Sequence, residues 1–277
     1  MKSEYRPTWQ LPPGVSRGTW DYVSTPSIAT EYDAFHGDHP LMRLDQQWIA
    51  QRLESHCDST DPRVLLDLGC GTGRALLPWS DRGWRTIGID LSSDMLNQAQ
   101  IKCIGSINPP GFIHANLAQL GCLSEGFADA AICLYSSIGM IRGSLNRQSM
   151  LEAVCRALKP DGLFFFHVHN RGNWLRDPRG IQTTLRSYLR SRFEKESEFG
   201  DRIYAYRGLP SMFLHIFSLS ELKRSLKQVG LAIESVYVLN RTSSGPLRWQ
   251  WWLPHLRAGG FMVIASKRKS NLSHFDP

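Results

Sequence analysis

Asp67, Gly69, Gly71 and Gly73 stand at alternate positions of Val64-Leu65-Leu66-Asp67-Leu68-Gly69-Cys70-Gly71-Thr72-Gly73-Arg74. A second acid, Asp90, closes the run Ile87-Gly88-Ile89-Asp90, 17 residues beyond Gly73. Alternating glycines let a chain turn sharply and bring its backbone against a ligand without interference from a Cβ. Val64–Leu68 is a short apolar run of the kind that forms a buried parallel strand. The pattern therefore reads as a strand, a glycine turn, a helix start and a second strand ending in a carboxylate. In a right-handed βαβ unit that carboxylate lies at the mouth where a ribose would sit, placed to accept from both ribose hydroxyls. An adenosine-type ligand is the natural occupant. The dinucleotide fingerprint G-x-G-x-x-G needs glycine at its sixth place, which here is Arg74, and this speaks against a nicotinamide oxidoreductase.

These four residues match, one by one, the D-x-G-x-G-x-G first motif of the class I S-adenosylmethionine-dependent methyltransferases, which the chain resembles over residues 40–170 and, on fewer residues, 210–268. The resemblance implies S-adenosylmethionine as cofactor. It puts Asp67 and the turn Gly69-Cys70-Gly71, with Gly73, at the methionine end, Asp90 at the ribose, and Leu91, Asn116 and Leu117 at the adenine. Many members carry Asp where Asn116 stands; an amide oxygen accepts the same adenine N6–H bond without a charge. Asp129-Ala130-Ala131-Ile132-Cys133-Leu134 leads into Tyr135-Ser136-Ser137-Ile138-Gly139, the loop that borders the transferable methyl group in this family, and no Asn-Pro-Pro-Tyr of the exocyclic-amine enzymes occurs there. Glu31-Tyr32-Asp33 is similar to the family's N-terminal tyrosine region, which would set Tyr32 over the cofactor.

The elements that must hold these residues follow from the pattern. A helix over residues 45–56 precedes the first strand, with Trp48, Ile49 and Leu53 on one face. Helices also follow Gly73, with Pro78 early in the first of them, and cover residues 93–103. Met150, Val154, Ala157 and Leu158 give a helical stripe that ends at Lys159-Pro160-Asp161-Gly162, and Leu163-Phe164-Phe165-Phe166-His167-Val168-His169 is apolar enough for a central strand. Ser218-Leu219-Ser220-Glu221 is a capping box. Strands follow over residues 231–239 and 259–267. With the family's connectivity the result is an α/β, Rossmann-like, doubly wound seven-stranded sheet of order 3-2-1-4-5-7-6, the last strand antiparallel and helices on both faces. The chain reads as a single methyltransferase domain over 1–277. Residues 1–40, rich in aromatics and turn formers, form an N-terminal lid, and residues 170–217 an inserted substrate-side cap with a helix near 182–193 and extended chain near 202–207.

At 277 residues and 42% hydrophobic content the chain suits one large globular domain. It has no run approaching the roughly 18 apolar residues of a membrane span and no signal-like N-terminus, so a cytoplasmic protein with no membrane partner is expected. Six scattered cysteines without C-x-x-C spacing imply reduced thiols and no metal site. The net charge of +7 keeps an RNA partner open.

A sulfonium already activates its methyl group, so alignment is the main task, worth on the order of 7–11 kcal/mol. A hydroxyl or protonated amine acceptor also needs a group to take its proton. His169, nearest the functional edge, and His167 are candidates, with Tyr135 to orient the acceptor; the alternative is that each histidine is a packed strand residue. Met212-Phe213-Leu214-His215-Ile216-Phe217 resembles a stretch of small-molecule and tRNA wobble-uridine methyltransferases and would turn His215 to the substrate cleft. Six arginines between Arg171 and Arg192 read equally as an anion site or as a solvated face paired with Glu194, Glu196 and Glu198, and Arg248, Trp249, Trp251, Trp252, His255 and Arg257 as core packing or as a stacking surface. The resulting expectation is methyl transfer to an oxygen or nitrogen of a small-molecule acceptor. A tRNA substrate and a non-catalytic nucleoside-binding module are the alternatives. The sequence does not fix the acceptor or the oligomeric state.

Overall fold

The computed structural model describes residues 6–37, 39–54 and 63–268. Cys57 and the end of the helix expected over 45–56 lie outside them. That helix begins earlier than expected, spanning Pro40–Glu54.

Seven strands form one sheet. They are β1 (Val64–Leu68), β2 (Arg85–Asp90), β3 (Gly111–His114), β4 (Ala128–Cys133), β5 (Leu158–His169), β8 (Leu231–Leu239) and β9 (Gly260–Lys267), in the order β3-β2-β1-β4-β5-β9-β8. The first five are parallel, and β9 runs antiparallel between β5 and β8. This is the expected topology, with β8 and β9 as its sixth and seventh strands. The remaining two, β6 (Asp201–Tyr206) and β7 (Leu209–His215), pair antiparallel as a separate hairpin.

Period-two alternation sorts the strand residues between two cores. Leu66 and Leu68 of β1, Phe164, Phe166 and Val168 of β5 and Phe261 and Val263 of β9 pack with the helices Ser144–Ala157 and Leu219–Gln228. Leu65, Leu163, Phe165 and Met262 pack on the other face with Ile49 and Leu53 of the Pro40–Glu54 helix. His167 and His169 share this second parity, so both emerge beside that helix at the C-terminal end of β5. The Lys159-Pro160-Asp161-Gly162 stretch does not precede β5 but loops out within it. Ala128 pairs with Leu158 and Ala130 already with Leu163, and Asp161 adopts a left-handed φ of 64° to make the bulge.

Between β5 and the Leu219–Gln228 helix the chain forms a 3-10 turn (Arg171–Arg176), a helix (Gly180–Phe193) and the β6–β7 hairpin. Three short helices, Arg17–Val23, Pro26–Thr30 and Tyr32–His36, come before the sheet. The first packs on β7 so closely that a Cβ at Gly18 would lie 1.8 Å from the Ser211 carbonyl oxygen. The Trp-rich segment does not enter the core: Trp249, Trp251 and Trp252 are exposed beside the single turn Pro254–Arg257.

Candidate functional site

The C-terminal edge of the sheet, where β1 and β4 diverge, opens into a cavity of about 510 Å³. Its floor is the glycine loop and the end of β2. Asp90 accepts the Gly71 amide at Oδ2 and the Ser92 amide at Oδ1, each at 2.8 Å. Burial raises the Asp90 pKa, and the backbone donors at Ser92, Gly71 and Leu91 pull it back. The carboxylate also lines the cavity, so it is placed to accept further donors there. Gly71 takes φ +53°, and a Cβ there would meet only the Tyr32 ring edge, at 4.0 Å, so the loop surface is open to a ligand under that ring.

Leu91, Asn116, Leu117, Gly69, Tyr32 and Tyr135 also line the cavity. Asn116 is more constrained than expected: Nδ2 donates to the Pro13 carbonyl at 2.8 Å and Oδ1 accepts the Ala118 amide at 3.0 Å. Three residues assigned to the ligand do not line the cavity. The Cys70 side chain turns under the loop into the space left by Gly88, where a Cβ would come within 2.7 Å of its sulfur. Gly73 faces the Ser93–Lys102 helix, 3.2 Å from Ala99 by the same measure. Asp67 is buried beneath the loop, and burial pushes its pKa up to about 7 against the pull of Arg74. Nor are the loop amides free as a set: Gly69 and Cys70 both donate to the Ile89 carbonyl, Gly71 to Asp90 and Gly73 to the Cys70 carbonyl.

Arg74, the residue that breaks the dinucleotide fingerprint, ties the loop to the Pro40–Glu54 helix. It grips the buried Asp45 through both terminal nitrogens, at 3.3 and 3.1 Å, and donates to the Met42 carbonyl. Such a fork-to-carboxylate pair fixes geometry better than a single contact.

The upper wall holds the groups able to handle protons. Tyr135 and Ser136 adopt consecutive left-handed conformations, φ 55° and 66°, each costing about 1–3 kcal/mol. This backbone turns the Tyr135 ring into the cavity, where its hydroxyl lies 3.3 Å from His36 Nδ1; His36 Nε2 in turn lies 2.8 Å from the Tyr206 hydroxyl. Burial lowers the His36 pKa to about 4, with Arg207 adding to the effect, so the imidazole is neutral at physiological pH and bridges two phenols. His167 and His169 line the same cavity, their rings 5.2 Å apart. Burial depresses both, His169 to about 4, and neither His167 nitrogen has a hydrogen-bond partner among the described residues. His36 and Tyr206 carry no sequence signal beyond their place in aromatic-rich segments, which lack a period.

His215 lies elsewhere. Its Nδ1 faces Asp201 and its Nε2 faces Glu221, both at 2.7 Å, in a second cavity behind the β6–β7 hairpin. Two partly buried carboxylates hold it there. Glu221 also pairs with Arg171, so the capping box is half formed: Ser218 Oγ accepts the Glu221 amide, while the Glu221 carboxylate turns away to His215 and Arg171. Among the six arginines of residues 171–192, Arg190 pairs with Glu194 and Arg171 with Glu221.

The segment before the sheet is fastened across the cavity at several points. Thr72 Oγ1 donates to Asp33 at 2.7 Å, Lys102 pairs with Asp33, and Ser92 Oγ donates to the Val23 carbonyl at 2.7 Å. Arg207, in the turn of the hairpin, joins Glu31 at 2.8 Å and the Ile28 carbonyl at 3.2 Å.

Residues 65–162 match a family model described as a methyltransferase domain. The ubiquinone biosynthesis O-methyltransferase of Idiomarina loihiensis is 27% identical over 125 residues, 44% of this chain and 50% of that protein. A dTDP-3-amino-3,6-dideoxy-alpha-D-glucopyranose N,N-dimethyltransferase of Streptomyces fradiae is 33% identical over 137 residues, 49% and 51% of the two chains. The chain thus spans about half the length of the curated relatives it matches. A SAM-dependent methyltransferase from Methanosarcina mazei has a similar fold, with a TM-score of 0.60 at 20% identity over 78% of this chain and 97% of that one.

Proposed function

Starting from a chain that carries a methyltransferase domain on the class I S-adenosylmethionine-dependent fold, we propose that it transfers a methyl group to a hydroxyl oxygen of a small molecule held under the Tyr135 wall. One observation carries the reading. The Asp90 carboxylate, pinned by the amides of Gly71 and Ser92, lies in the same cavity as a phenol–imidazole–phenol chain. The residues fit an adenosine sulfonium: a diol acceptor at Asp90, an open loop surface at Gly71, apolar contacts at Leu91 and Leu117, and a volume within the roughly 300–1,000 Å³ of small-ligand sites.

When bound, S-adenosylmethionine supplies an activated methyl carbon. Asp90 would hold the ribose hydroxyls, and Leu91 and Leu117 would enclose the adenine, with the Asn116 amide at its edge. Asp67, beneath the loop, places a carboxyl where an ammonium group above would favour its ionised form. Tyr32 covers the glycine loop and excludes water from it. Tyr135 orients the acceptor hydroxyl and takes its proton at Oη while passing its own to His36 Nδ1. His36 Nδ1 receives that proton on an imidazole whose basicity burial lowers, with Tyr206 at its other nitrogen. His169 faces the acceptor as a neutral hydrogen-bonding group. An amine acceptor, as named for the Streptomyces fradiae relative, would use the same path.

Calorimetric titration of the protein with S-adenosylmethionine tests the first half of this reading, and turnover to S-adenosylhomocysteine with a panel of phenols, alcohols and amines tests the second. No detectable binding would end it.

A further inference from the structure

The Gly180–Phe193 helix is packed inside out. The residues it turns inward are small and mostly hydroxylated: Gly180 and Ser187 are buried, and Thr184 and Ser191 are half-buried. Its apolar residues Ile181, Leu185, Tyr188 and Leu189 recur at i, i+4, i+7 and i+8 and face solvent, Ile181 being 73% exposed. A surface helix of a globular protein shows the reverse, its apolar stripe against the core. The 3-10 turn Arg171–Arg176 that packs on this helix also packs on the short Pro254–Arg257 helix, beside which Trp251 is 82% exposed, with Trp252 and Leu253 about half exposed. Exposed apolar residues scattered singly need no explanation, but two such segments against one turn do.

The charge around these segments has one sign. Arg176, Arg179, Arg186 and Arg192 make no ion pair among the described residues, and the nearby acids Asp177 and Glu194 are engaged by Arg241 and Arg190. An apolar stripe flanked by arginine, with tryptophan at its side, is the composition of a helix lying in a membrane interface, where rings sit at the headgroups and cations meet lipid phosphate. Ile181, Leu185 and Leu189 give nothing to an RNA backbone or base stack, whereas acyl chains bury them. A second copy would bring arginine against arginine.

We propose that this face docks on an anionic phospholipid surface, laying Ile181, Leu185 and Leu189 at the acyl boundary with Trp251 and Trp252 among the headgroups. Asn173 of the same turn, with Arg241 and Thr242, lines the candidate active-site cavity, so the docked face borders its mouth. The sequence offers no spanning segment and gave no reason to expect a membrane partner; surface docking needs none, only the orientation of a stripe that the pattern leaves open.

The test is flotation of the full chain with vesicles of phosphatidylcholine alone or mixed equally with phosphatidylglycerol, at low and high salt. We expect retention on the mixed vesicles with a blue shift of tryptophan emission, and weak binding to phosphatidylcholine alone. Leu185→Asp should lower partitioning by about tenfold, Trp251→Ser with Trp252→Ser should remove the blue shift, and Arg186→Gln should cost about fivefold at low salt. All these positions are exposed, and unchanged S-adenosylmethionine binding and melting temperature report an intact fold, so vesicle binding stands or falls separately from methyl transfer. Absence of the protein from anionic vesicles would overturn the proposal. So would vesicle binding indifferent to Leu185→Asp, tight salt-sensitive binding to tRNA without vesicle binding, or a dimer abolished by Leu185→Asp.

Discussion

Replacing Asp90 with alanine tests the proposed ribose contact. In the parent protein its two oxygens accept from the Gly71 and Ser92 amides at 2.8 Å, and the proposal has them accept from the ribose hydroxyls as well. A hydrogen bond to a charged group contributes about 1.5–3 kcal/mol. Two such bonds, less what water recovers in the vacated space, leave a net loss of about 3 kcal/mol, or on the order of 100-fold in affinity for S-adenosylmethionine. Calorimetry measures this directly. A second ligand sharpens it. The 2′-deoxy analogue of S-adenosylhomocysteine should bind the parent about tenfold more weakly than S-adenosylhomocysteine itself. It should bind Asp90→Ala no worse than S-adenosylhomocysteine does, because the acceptor is already gone and the two losses are coupled rather than additive. A variant that binds S-adenosylmethionine within about threefold of the parent, or a deoxy penalty equal in both proteins, would refute the placement of the ribose at Asp90.

Asp67 is held up at about 7 by burial, so the folded chain keeps a proton that the unfolded chain releases near pH 4; its contribution is intact at low pH and lost as pH rises through 7. Asp67→Asn should therefore raise the melting temperature more at pH 8 than at pH 5. His169 has the opposite sign: depressed to about 4, it contributes stability above its unfolded value of about 6.5 that is lost as pH falls through 4. Acid melts of His169→Gln should show a flatter decline over that window. Gly18→Ala sets a Cβ 1.8 Å from the Ser211 oxygen and should cost about 2–3 kcal/mol while opening residues 6–37 to limited proteolysis. Tyr135→Phe should lower turnover about 100-fold with any hydroxyl acceptor and leave the affinity for S-adenosylmethionine unchanged; His36→Gln should do the same and shift the acid limb of the rate profile.

Much of the frame was legible because strand burial leaves a plain imprint. Leu65 to Leu68, Ala130 to Cys133 and Leu163 to Val168 are too apolar to be anything but interior strands, and their order followed from the resemblance carried by the glycine turn. The place of Asp90 on the cavity was legible for a similar reason: an acid that ends an apolar run has few places to go. Cys70 and Gly73 do not line the cavity, because spacing fixes the backbone path but not which side of a tight loop is occupied, and here Gly88 and Ala99 set that side. His36 and Tyr206 were invisible, since they meet across 170 residues of sequence. His215 was sent to the wrong cavity, because its carboxylate partners Asp201 and Glu221 lie in different elements. The Gly180–Phe193 helix was found, but a stripe at period 3.6 has no arrow; only coordinates show that it points outward.

The fastening of residues 6–37 over the cavity carries a kinetic corollary. Asp33 grips both Thr72 and Lys102, Val23 holds Ser92, and Glu31 holds Arg207. Spent nucleoside would have to wait for these latches to unclip before departing, so the exchange step, rather than alkyl transfer, would set the tempo of each cycle. Because two of the latches are ionic and near solvent, raising ionic strength would quicken that cadence even as it loosened the grip on the ligand.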